Sequence, residues 1–161
     1  MQIIKRDTRL WNYLTPELQG LIEDGEMMIK LINDHRHTSG VSDFSLLVFS
    51  FSKAYEGFLK KFLLDMKLIK ESDYYGDDMR IGRILNPHFI KQKGNVFAKV
   101  CVKAKDGRQV SEDLWRVWKR GRNLVFHYFP HNFRKLSFEE SMEIVDELVS
   151  VMDQALLRCK F

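Results

Sequence analysis

SDFSLLVFSFSKAYEGFLKKFLLDM, residues 42–66, is the stretch that decides the fold. Phe44, Leu47, Val48, Phe51, Tyr55, Phe58, Phe62 and Met66 recur at three- and four-residue spacing, so an α-helix gathers them on one side. Ser42 or Asp43 offers the side-chain oxygen that caps its start, just after the break at Gly40. A stripe this wide and this aromatic must be covered by other apolar faces. At about 100° per residue, Ser52, Glu56 and Lys60 share a flank well away from the stripe, and Glu56 precedes Lys60 in the favourable i,i+4 order. Glu56 is therefore expected outside the deepest core.

The covering elements can be read on both sides of this helix. Upstream, Thr15-Pro16-Glu17 sets a capping hydroxyl, a proline suited to the first helical position and a first-turn carboxylate in order. Leu18, Leu21, Ile22, Met28, Ile29 and Ile32 then fall on one side, until the run from His35 to Gly40 ends the pattern. Residues 1–14, with Trp11 and Tyr13, form an arm that packs either on the body or on another subunit. Downstream, Met79 to Leu85 reads as a short helix stopped by Asn86-Pro87. Val96, Ala98, Val100 and Val102 alternate before Asp106-Gly107, the pattern of a small β-hairpin or of a loop insertion around 94–110. Ser111-Glu112-Asp113 starts another helix, with Leu114, Trp118, Val125 and Tyr128 inward and Pro130 as its stop. Ser137-Phe138-Glu139-Glu140 is a capping box, followed by Val145, Leu148, Val149, Met152 and Leu156 at helical spacing. No repeat or low-complexity tract interrupts the series. The expected architecture is all-α: one compact bundle of about four or five helices over residues 1–161.

Composition agrees with one folded unit. A chain of 161 residues supports a single core, and 45% apolar content excludes a disordered one. The formal net charge of +4 is too small to identify a polyanion partner by itself, so the placement of the cations matters more than their sum. Cys101 and Cys159 are too few for a disulfide framework or a four-cysteine zinc cage, and two free thiols in a reducing compartment are expected. No apolar run has the length of a signal peptide core or a membrane span, which reads as a soluble, cytoplasmic protein.

Phosphate-cradling glycine loops, the HExxH helix, the GxSxG elbow and paired CxxC motifs are missing from the sequence. His127 and His131 stand at i,i+4, but Pro130 between them disrupts the helix a zinc pair would need, so neither metal nor cofactor is implied. The informative stretch is Trp115-Arg116-Val117-Trp118-Lys119-Arg120-Gly121-Arg122-Asn123-Leu124-Val125-Phe126-His127-Tyr128. It concentrates cations, aromatics and one imidazole.

Arg122 to His127 forms an R-x4-H pattern with a polar Asn123 after the arginine, late in an all-α chain of suitable length. Here the sequence resembles the HEPN superfamily of helical ribonucleases and nucleotide-binding proteins. The run Lys53-Ala54-Tyr55-Glu56-Gly57-Phe58-Leu59-Lys60 looks like the early helix that packs beside the R-x4-H helix in that superfamily. Within it the chain is most similar to the catalytic domain of ribonuclease LS (RnlA-type) toxins, where an upstream glutamate joins the Arg and His, the role the resemblance gives Glu56. It spans roughly Ser42 to Phe161, with the middle segment poorly matched. A related subgroup has H-x-Tyr after its motif, whereas His127-Tyr128 puts the tyrosine one position early. The resemblance implies a homodimeric toxin or defence effector that cleaves RNA in a cleft completed across the dimer, held in check by an antitoxin protein.

The chemistry can be argued without the family. Metal-free RNA cleavage needs activation of the ribose 2′-hydroxyl, stabilisation of phosphorane charge and protonation of the leaving oxygen. Imidazole titrates near neutrality, which makes His127 the acid/base candidate. A guanidinium stays charged and presents a planar fork to phosphoryl oxygens, which suits Arg122 as the electrostatic clamp. On an ideal helix residues five apart differ by about 140°, so Arg122 and His127 share no face unless the arginine bends round or the helix ends early, whereas Asn123 and His127 do share one. Arg116, Lys119 and Arg120 are the expected RNA contacts. Each residue also has a plainer reading. The charge run can be a solvated face, Trp118 belongs to the core stripe while Trp115 is left open between stacking and packing, Glu56 can pair with Lys60, and His127 can be a structural imidazole. The competing functional class is a non-catalytic helical module that binds RNA, a nucleotide or a protein.

Overall fold

The computed structural model describes residues 2–35, 40–102, 104, 106–128, 130 and 134–159, and regular structure among them is helical throughout. α1 (Arg9–Tyr13) and α2 (Pro16–His35) are followed by a 3₁₀ turn, Phe44–Val48, that runs straight into α3 (Phe49–Asp65). Next come α4 (Glu71–Tyr75), α5 (Ile81–Ile84) and 3₁₀ turns at Pro87–Phe89 and Phe97–Lys99. α6 (Gly107–Trp118) passes through a π-turn, Lys119–Asn123, into the short α7 (Leu124–Phe126), and α8 (Phe138–Arg158) closes the series.

α3 is the centre because its aromatic stripe has been covered on all sides. Phe51, Tyr55, Phe58 and Phe62 are fully buried, with Phe58 and Phe62 stacked at 5.5 Å between ring centroids. α2 covers one side with Ile22 and Ile29, and α8 covers another with Val145, Leu148 and Met152. α6 lies on α8 through Leu114 and Val117. Gly25 lets α2 approach closely, since a Cβ there would run into the Phe51 ring. The one polar tip in the stripe is satisfied: Tyr55 donates its hydroxyl to the Leu114 carbonyl at 2.8 Å. Burial pushes that phenol well above the usual tyrosine range.

Caps fix the ends. Ser137 and Glu140 make the reciprocal bonds of the capping box that starts α8. Asp43 accepts from the Ser45 N–H and hydroxyl and from the Leu136 N–H, which joins the entry to α3 to the entry to α8. Burial works against the Asp43 carboxylate, but those three donors and the nearby Lys135 hold its pKa below the ordinary value. The arm packs on its own body: Ile4, Leu10 and Leu14 are buried, and Tyr13 donates to Asp65 at 2.5 Å. Glu26, only 6% exposed, accepts from Arg6 and from the Ile3 and Ile4 N–H groups.

Several expectations are corrected. No strand forms around 94–110 among the described residues. The buried positions ahead of α6 are Asn95, Val96, Phe97, Val100 and Cys101, not an alternating order, so of the two expected forms the insertion takes that of a loop. Asn95 pins it by donating to the Asn86 carbonyl at 2.9 Å, while Val96 N–H donates to Ile84 at 2.8 Å. α6 begins at Gly107, and Ser111 sits buried inside it with its hydroxyl turned to the Gly107 carbonyl. Met28 is 40% exposed, because α2 buries the narrower row of Leu18, Ile22, Gly25, Glu26 and Ile29. Cys101 and Cys159 are joined as a disulfide with Cα atoms 5.2 Å apart, in place of two free thiols. The end of α8 packs on the 97–102 turn, a proximity that a separation of 58 residues does not disclose. Among the described residues no helix is long and apolar enough to cross a membrane.

Candidate active site at the π-turn

The site is built on an irregularity of the penultimate helix. At Lys119–Asn123 the backbone widens into a π-turn, in which the Leu124 N–H donates to the Lys119 carbonyl five residues back. Two contacts accompany it. Ser52 of α3 donates its hydroxyl to the Gly121 carbonyl at 2.6 Å, in a buried position. On the other side Gly121 lies against α8, where a Cβ would stand 3.1 Å from Leu148 Cδ2. The bare glycine lets the wide turn sit between two helices. Ser52 is thus 2% exposed, which corrects its expected place on an uncovered flank, while Glu56 stays half-buried outside the deepest core.

The widened turn decides which side chains line up. In a plain α-helix residues four apart advance by about 40° at each step, and a turn of about 4.4 residues reverses that drift. Trp115, Lys119, Asn123 and His127 accordingly line one cleft of about 340 Å³. Gly82, Asn86 and His88, from α5 and the segment that leads into the following 3₁₀ turn, line it as well. Lys119, Asn123 and His88 have side chains without a polar partner among the described residues, so their donors face the cleft uncommitted. His127 ends α7 in extended backbone and is exposed.

Arg122 does not line this cleft. Its Nε lies 3.6 Å from Glu56 Oε2 on α3, and its guanidinium stands 5.8 Å from the ring centre of Trp118. The side chains of Arg122 and Glu56 are 38% and 29% exposed, so the pair is reachable from solvent. Arg122 leaves the π-turn toward Glu56 of α3, whereas His127, at the end of α7, lines the cleft.

The expected RNA contacts also divide. Lys119 faces the cleft, whereas Arg116 meets Asp113 and Glu147 at 3.6 and 3.5 Å. Arg120 pairs with Glu147 and Glu143, and reaches a smaller recess of about 120 Å³ that Arg134 and Lys135 also line. Trp118 is buried as the core stripe requires, and its Nε1–H has no acceptor among the described residues. Trp115 is half-buried at the cleft wall. Tyr128 is 70% exposed, against its expected inward place, because the helix ends one residue before His127. His131 lies outside the described residues. Among those described, no three His, Cys, Asp or Glu side chains converge as a metal-ligand group.

Gly82, Asn86 and His88 line the cleft although the sequence assigns none of them to a site. Asn86-Pro87 announces a chain stop, and Asn86 Oδ1 accepts the His88 N–H at 2.9 Å, but no local pattern says what the turn faces.

No family model, curated protein or solved structure matches this chain. The cleft must be read from its chemistry: two imidazoles, one ammonium and two amides beside an aromatic wall. Such a set can hold a phosphodiester and exchange protons with its oxygens.

Proposed function

We propose that this chain is a HEPN-like, metal-independent endoribonuclease of the toxin or defence-effector type. The observation that carries the reading is the convergence of Lys119, Asn123 and His127 in one cleft at the π-turn, with Arg122 on the adjoining flank beside Glu56. Lys119 and Asn123 would grip the scissile phosphate, and His127 would move a proton between the protein and the ribose or leaving oxygen. Arg122, oriented by Glu56, would clamp the phosphoryl charge that develops in the transition state. Attack by the 2′-hydroxyl leaves a 2′,3′-cyclic phosphate, or the 3′-phosphate from its hydrolysis, and a 5′-hydroxyl. Homodimerisation and inhibition by an antitoxin protein both belong to this reading.

Labelled RNA incubated in EDTA with wild type, His127→Ala and Arg122→Ala tests it. Wild type is expected to cut while both variants stay folded and lose cleavage by about 10²- to 10⁴-fold. Equal products from all three would identify a contaminant and overturn the proposal.

A second reading is a binding module without catalysis. The pairing of Arg116 and Arg120 with Glu143 and Glu147 favours its nucleotide- or protein-binding form, because it removes cations from the stretch that should track an RNA backbone. Wild type that never cuts RNA and binds it no better than the Lys119→Ala variant would select this alternative.

A further inference from the structure

Cleavage through the 2′-hydroxyl moves two protons. One leaves O2′ as the O2′–P bond forms, and another reaches O5′ as the P–O5′ bond breaks and its electron pair departs with O5′. Within one chain the R-x4-H motif brings only one group that exchanges protons near neutral pH, since a guanidinium does not deprotonate in proteins. Amides do not titrate, so Asn86 and Asn123 can orient a phosphate but not trade protons with it.

The same cleft is lined by a second imidazole. His88 sits on the turn Pro87–Phe89 and lines the same cleft of about 340 Å³. The turn is held in place: Asn86 Oδ1 accepts the His88 N–H, and Asn95 donates to the Asn86 carbonyl, each at 2.9 Å. This leaves the imidazole exposed on a fixed backbone, with no polar partner among the described residues.

We infer that His88 is the second proton-transfer group of this cleft, so that a single chain carries both imidazoles of the reaction. The inference rests on the ribonuclease reading above and adds a catalytic residue outside the R-x4-H motif. The neutral imidazole of the pair takes the proton from O2′ while the protonated partner delivers one to O5′. Proton count and charge balance over the step, and hydrolysis of the cyclic phosphate in reverse roles resets both rings.

The test follows rates against pH for wild type, His88→Gln, His88→Ala and His127→Ala, on labelled RNA in EDTA, with circular dichroism confirming the fold. Wild type should give a bell-shaped profile. His88→Gln should lose about 10²- to 10⁴-fold and one limb of the bell, as His127→Ala loses the other. Mixing the His88→Ala and His127→Ala chains should restore nothing, because neither contains a complete pair. Cleavage by His88→Gln at the wild-type rate, or at a reduced rate with both limbs intact, overturns the inference while leaving the ribonuclease intact. Recovery on mixing would put the two imidazoles on different chains and also overturn it. Wild type that cuts no RNA at any pH instead removes the ribonuclease reading itself.

Discussion

The hydroxyl of Ser52 donates to the carbonyl of Gly121 across 2.6 Å, although the two residues are 69 positions apart. This buried bond ties the aromatic helix to the middle of the π-turn. Ser52→Ala leaves the Gly121 carbonyl without that donor, at a cost of about 1–3 kcal/mol. The urea midpoint should fall accordingly. On the ribonuclease reading, RNA cleavage should fall even under conditions where the variant is fully folded, because the turn sets the row from Trp115 to His127.

The Glu56–Arg122 pair separates orientation from stability. Half-exposed ion pairs contribute about 0–1 kcal/mol, so Glu56→Gln should hardly move the unfolding midpoint. If Glu56 aims Arg122 at the transition state, the same variant lowers kcat by about tenfold or more and leaves KM nearly unchanged. Unchanged kcat would reduce the pair to a surface contact.

Acid should loosen the N-terminal arm. Burial raises the Glu26 carboxyl, but bonds from Arg6, Ile4 and Ile3, together with the Arg6 charge, bring its pKa below the ordinary glutamate value. A folded-state pKa below the unfolded one gives stability that is present above about pH 4.3 and lost as pH falls through the folded value. Asp43 shifts in the same direction and adds to the loss. Urea midpoints measured from pH 7 down to pH 3 should drop for wild type, and more shallowly for Glu26→Gln, which starts lower.

The Cys101–Cys159 bond is open to direct measurement. Closing a loop over a separation of 58 residues stabilises by up to about 4 kcal/mol in the chain-entropy model. Intact mass under non-reducing conditions should be two hydrogens below the dithiol, and reductant should lower the urea midpoint to that of Cys159→Ser. Two alkylated cysteines in protein trapped with an alkylating reagent at lysis would show that the bond is not formed in the cell.

Local patterns disclosed much of the fold. Thr15-Pro16-Glu17 marks the start of α2, Ser137 to Glu140 marks that of α8, and the spacing from Leu47 to Phe62 describes the buried stripe of α3, because caps and periodicity act within a few residues. Val96 to Val102 left a hairpin and a loop both open, because alternation over so short a run does not separate a strand from 3₁₀ turns. The site was half legible. Asn123 and His127 belong together by spacing, but the π-turn rests on Ser52 and Leu148, and His88 reaches the cleft through Asn95 and the loop after α5. These are long-range contacts that no window of sequence contains.

The wide turn at Gly121 also acts as a counter. It holds one residue more than a regular turn, so everything beyond it is rotated by one helical step, about 100°, relative to α6. Removing a single residue between Lys119 and Asn123 would return the segment to an ordinary spiral and swing His127 off the cleft, while Leu114 and Val117 kept their seats. On the ribonuclease reading, the chain length between the buried Trp118 and His127 therefore matters as much as the imidazole itself.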